Sequence, residues 1–141
     1  MRSPVTYVKQ QHRFGCGPAC LAMITGLPYE QVVSELGGDF TENHGMTFHD
    51  ADSWLVEKGY ATSRLWKFRR GNIPRDPWPP IPWADVSLFS SALPGGSHFL
   101  ILLRNGDVID PNRDDNPRKI EEYDVQNIAG VHQFQKGCAP R

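Results

Sequence analysis

The chain has 141 residues, enough for one compact domain that buries about two thirds of its unfolded surface without a disulfide or structural metal. A net charge of −1, with 39% apolar and 22% charged residues, is ordinary for a globular protein and argues against a general nucleic-acid binder. Three cysteines, Cys16, Cys20 and Cys138, are an odd number, which disfavours a disulfide framework and points to a reducing, cytoplasmic compartment.

Arg2, Lys9, Gln10, Gln11 and Arg13 interrupt any apolar signal core at the N-terminus. No apolar run approaches the roughly 20 residues of a membrane span. The expectation is a single domain over residues 1–141 with no membrane span. Helical spacing comes first along the chain. Cys16, Ala19, Cys20, Met23 and Leu27 share one face, and Tyr29, Val32, Val33 and Leu36 follow an i, i+3, i+4, i+7 pattern. Gly26 and Leu27-Pro28 separate these helices, and Gly37-Gly38 ends the second. Thr47, with Asp50 three residues on, predicts the N-cap of a third helix that turns Phe48, Ala51, Trp54 and Leu55 inward and stops near Gly59.

Strands follow. Residues 60–68 and 83–89 are candidates, separated by five prolines in 73–82 that force an extended surface loop. Residues 93–97 read as a turn. Residues 98–104 and 107–109 flank Asn105-Gly106, a strong hairpin signal, residues 112–117 read as exposed, and a last strand is expected over 130–134. Helices first and an antiparallel sheet second make an α+β order.

The chemistry centres on Gly15-Cys16-Gly17-Pro18-Ala19-Cys20. Gly15 and Gly17 permit tight turns and the close approach of a ligand, and Pro18 suits the first turn of a helix. A cysteine at that point feels the positive end of the helix dipole, which favours the nucleophilic thiolate, and its N–H can meet an oxyanion. Cys20, one turn on, reads as core. His98 opens the most apolar strand after a flexible turn, where a base can face a cleft. Asp110 lies on the next strand, and Gln10 stands six residues before Cys16. His12, Gly17, Trp78 and Trp83 are candidate lining for a substrate groove. His44 and His49, with Asp50 or Asp52, lack the spacing of a zinc signature, so neither a metal nor another cofactor is expected.

Gln10, the block from Gly15 to Ile24, the segment Ser97-His98-Phe99-Leu100-Ile101-Leu102-Leu103 and Asp110-Pro111 together resemble the papain-like cysteine peptidases that process bacteriocin leaders after a Gly-Gly pair. The resemblance covers roughly residues 5–111. It implies a papain-like fold, with N-terminal helices on an antiparallel sheet. It also implies Cys16 as nucleophile, His98 as general base and acid, Asp110 as orienter and Gln10 as oxyanion donor. Gly15 stands where that family usually carries an acidic residue. A free-standing member without the transporter domains is the expectation, acting on a peptide, isopeptide or other amide. The alternatives are a catalytically silent module that binds a peptide or protein, and an acyltransferase using the same triad.

Hairpin parity poses a difficulty. A strict two-residue turn at Asn105-Gly106 sets Ile101 opposite Asp110 and puts Asp110 on the face away from His98. The triad then requires a bulge, or a bend beyond the ladder, with Asn112 as the fallback orienter.

Overall fold

The computed structural model describes residues 5–11, 15–37, 46–63, 66–67, 86–93 and 96–133. Among them are three α-helices: α1 (Cys16–Thr25), α2 (Tyr29–Leu36) and α3 (Phe48–Glu57). Seven strands form one antiparallel sheet: β1 (Tyr60–Thr62), β2 (Trp66–Lys67), β3 (Val86–Leu93), β4 (Gly96–Leu103), β5 (Asp107–Ile109), β6 (Arg118–Lys119) and β7 (Val125–Gln133). Their order is β1-β7-β3-β4-β5-β6, with β2 also paired to β7. The class is α+β, as expected.

α1 starts at Gly15 and closes at Gly26, whose φ of 78° suits only a residue without a Cβ. Every residue from Cys16 to Met23 is buried, so α1 is a core helix on all sides rather than an amphipathic one. α2 turns Tyr29 and Val32 inward and ends at Gly37. At α3 the Thr47 hydroxyl accepts from the Asp50 N–H, and the Asp50 carboxylate accepts from the Thr47 N–H, the reciprocal cap expected from sequence.

The sheet has an apolar layer on each face. Leu88, Phe99, Ile101, Leu103, Ile109 and Val131 pack with the helices in one cluster. Phe89, Leu100, Leu102, Val108, Val125 and Ile128 pack in a second cluster, joined by Ile120 and Tyr123. β4 therefore alternates between two buried layers, which is why residues 99–103 form an unbroken apolar run.

The structure corrects several strand expectations. β3 runs on to Leu93 and β4 begins at Gly96, so residues 93, 96 and 97 of the expected turn are strand; residues 94–95 lie outside the described set. β1 and β2 replace a continuous strand over 60–68: Ser63 still donates its N–H to Gly130 O at 2.9 Å, but the Gly130 N–H is taken by the Ser63 Oγ at 2.8 Å, and the regular ladder stops at Thr62. β7 begins at Val125, five residues before expectation. Its register against β3 jumps from Ser90↔Asn127 to Ser91↔Val125, so Gln126 is bulged. The proline-rich stretch 73–82 lies outside the described residues.

Candidate active site

Cys16 is the first residue of α1, and the helix closes its first turn with Ala19 N–H to Gly15 O at 3.0 Å. The Cys16 and Gly17 N–H groups are not consumed within the helix, and Pro18 has none. No acidic side chain occupies the first turn, and Gly15 makes no side-chain cap, so nothing there opposes the positive end of the dipole. Gly17 is accounted for by packing. A Cβ at that position would lie 2.7 Å from Met46 Cε and 3.0 Å from Met46 Cβ, so the close approach in this structure is by Met46.

β4 and β5 resolve the parity difficulty. Their register is Ile101↔Ile109 and Leu102↔Val108. One step further sets Leu103 opposite Asp107 and leaves a three-residue loop, Arg104, Asn105 and Gly106. Gly106 donates its N–H to Leu103 O at 2.9 Å and has φ of 99°, as a three-residue hairpin requires. The slip of one residue from the expected pairing moves Asp110 to the level of Leu100. That is the same face as His98, one pleat away. The fallback to Asn112 is not needed. His98 Nε2 lies 2.7 Å from Asp110 Oδ1.

The same hairpin positions the sulfur. The Leu103 carbonyl faces the turn and β5, so by strand alternation the Phe99 N–H also points to the β5 side. The β5 ladder ends at Ile109, opposite Ile101. Beyond that end the Phe99 N–H donates to Cys16 Sγ at 3.4 Å. Cys16 thus arrives from the helical layer, while His98 and Asp110 share the parity of the opposite layer. They meet where β4 outruns β5.

Asp110 is 5% exposed and fully engaged. Its Oδ1 accepts from His98 and from the Asn112 N–H at 2.9 Å, and its Oδ2 accepts from the Tyr123 hydroxyl at 2.8 Å. Asn116 holds its backbone on both sides: Asp110 N–H donates to Asn116 Oδ1 at 2.8 Å, and Asn116 Nδ2 donates to Asp110 O at 3.1 Å. Burial pushes the Asp110 carboxyl up, but the bonds from His98, Asn112 and Tyr123 hold it below its ordinary value. For His98, burial disfavours the charged ring; the Asp110 carboxylate and the Cys16 side chain outweigh this and raise its pKa to about 9. With Nε2 turned to Asp110, Nδ1 is the ring nitrogen left for chemistry.

Gln10 is carried by the N-terminal segment, which lies along the loop after Asp110. The Gln10 N–H donates to Pro111 O at 2.9 Å, the Tyr7 hydroxyl reaches Pro111 O and Arg113 O, and Lys9 pairs with Asp114 at 3.1 Å. One loop therefore holds both the histidine's partner and the backbone of Gln10. Cys20 is fully buried, and burial, with the nearby Cys16 and Asp110 charges, pushes its thiol well up. Among the described residues no three His, Cys, Asp or Glu converge as a metal site, and no helix is long and apolar enough to cross a membrane. His12, His44, Trp78, Trp83 and Cys138 lie outside the described residues.

Sequence reasoning misses Tyr123 and Asn116. Both sit in a polar stretch whose pattern carries no sign of Asp110; only the folded loop brings them to it. In comparison with known proteins, no family model and no curated protein matches the chain.

Proposed function

We propose that this chain is a papain-like cysteine hydrolase that cleaves an amide bond in a peptide or isopeptide. The observation that carries the reading is the 2.7 Å His98–Asp110 pair, placed beside a cysteine at the start of a helix. In this reading the Cys16 sulfur attacks the carbonyl carbon, forming a C–S bond. The oxyanion is met by the Cys16 N–H and the Gln10 amide. His98 gives its proton to the amine nitrogen, the C–N bond breaks, and an acyl-thioester remains. His98 then takes a proton from water, whose oxygen attacks the thioester and releases acid and thiolate. Asp110 keeps the ring oriented throughout and stabilises its charge whenever it is protonated.

The reading is tested by exposing a cell extract to the wild-type protein or to Cys16→Ala and mapping new peptide N-termini by mass spectrometry. Termini that appear only with the wild type are expected, and they name the scissile bond. Identical sets of termini in both samples would overturn the proposal.

A further inference from the structure

We propose that Tyr123 is a positioning residue for the nucleophile's base, acting through Asp110; the proposal rests on the hydrolase reading above. Asp110 has two chemically equivalent oxygens, and rotation about its terminal bond exchanges them. Oδ1 is shared by His98 Nε2 and the Asn112 N–H, at 2.7 and 2.9 Å. The Tyr123 hydroxyl occupies Oδ2 at 2.8 Å and removes the equivalence. The carboxylate plane, and with it the imidazole plane, is then fixed from three directions.

Tyr123 is itself held rigidly. It follows a 3-10 turn (Ile120–Glu122) and donates its N–H to Ile120 O at 3.0 Å. That turn is tied to the loop by Arg118, which pairs with Asp115 at 2.6 Å and with Glu122. The next residue is pinned to β3: Asp124 N–H donates to Ser91 Oγ at 3.1 Å, and Asp124 O accepts from Ala92 at 2.8 Å. The Tyr123 ring meets Phe89 edge to face at 6.2 Å within the second apolar cluster. Its phenol is pushed up, first by burial and then by the bond to Asp110. Among the described residues, the charged or titratable groups that act on Asp110 are His98 from β4, Cys20 from α1, Tyr7 from the N-terminal segment, Arg113 from its own loop, and Tyr123, while Cys16 acts on His98.

Tyr123→Phe keeps the ring and its contact with Phe89 and removes the hydroxyl alone. A donated hydrogen bond stabilises the carboxylate, so its loss raises the pH at which Asp110 titrates. The test follows the Asp110 carboxyl by carbon NMR and the rate of Cys16 alkylation by iodoacetamide from about pH 4 to 8. The expected result is an Asp110 midpoint moved to higher pH. The displacement should be about one pH unit, the size of one hydrogen bond to a charged group, and alkylation should be slowed most at the acid end of the range and little changed near pH 8. Phe89→Leu, which disturbs the packing and leaves the hydroxyl, should leave the midpoint in place. An unmoved midpoint in Tyr123→Phe, or the same displacement in Phe89→Leu, overturns the proposal. In the wild-type protein, ultraviolet titration should show raised phenols, those of Tyr7, Tyr60 and Tyr123, of which Tyr123→Phe removes one; an unchanged set in Tyr123→Phe also overturns it. A displaced midpoint with an inert Cys16 supports the Tyr123 contact and counts against the hydrolase reading instead.

Discussion

His98 and Asp110 face each other across 2.7 Å because the loop between their strands has three residues, with Gly106 in the left-handed region at φ 99°. The bond makes Asp110 the main support of the charged imidazole. Asp110→Asn keeps the shape and removes the charge while the burial that opposes the imidazolium remains. The His98 midpoint should therefore fall from about 9 toward or below that of a free histidine. Proton NMR of the ring across pH 5 to 10 reads this; an unchanged midpoint would show that Asp110 does not govern the ring.

The same groups set the pH dependence of stability. His98 binds its proton more tightly in the folded chain, at about 9 against an ordinary 6.5. Its contribution is full below pH 6.5 and is lost as pH rises through about 9. Asp110 is shifted down, so its contribution is present above the ordinary carboxylate value and is lost as pH falls through its lowered one. Urea denaturation of the wild type and His98→Gln should show a stability difference that is widest near pH 6 and shrinks toward pH 9. A difference that grows with alkalinity would contradict this.

Gly17 has a packing reason to be glycine. Gly17→Ala sets its Cβ 3.0 Å from Met46 Cβ, close to the backbone of a buried residue where relief is difficult. A loss of about 1–3 kcal/mol of stability is expected. In a Met46→Ala background the same substitution should cost less, because the colliding atoms beyond Cβ are gone. Equal costs in both backgrounds would place the strain elsewhere.

If Gln10 meets the oxyanion, Gln10→Ala should lower kcat about 10²- to 10³-fold with KM little changed. The assay uses a peptide spanning the cleavage site found by N-terminal mapping. A change confined to KM would assign Gln10 to substrate binding.

The helices were legible because their signals are local: Thr47 with Asp50, Gly26 and Gly37 at the helix ends, and Tyr29 and Val32 on one face. The setting of Cys16 was legible for the same reason, since Gly15 to Pro18 describe a helix start. Two features were hidden by register. Asn105-Gly106 fits a two-residue turn and the end of a three-residue loop equally well, and the choice decides which face Asp110 takes. In β7 the bulge at Gln126 puts Val125 and Ile128 in the same layer although they are three residues apart, so the two-residue period fails and the strand looks shorter than it is. Tyr123 and Asn116 reach Asp110 only through the folded loop, and no local pattern encodes that contact.

In the proposed function, Cys16 is an activated nucleophile served by His98. The most direct test is the rate of iodoacetamide modification of each cysteine in the native protein near neutral pH, resolved by mass spectrometry, in the wild type and His98→Ala. Cys16 should react well ahead of Cys138, and Cys20, fully buried, should react only on unfolding. His98→Ala should remove the advantage of Cys16. Three thiols reacting at one slow rate, or a Cys16 rate indifferent to His98, would contradict the account.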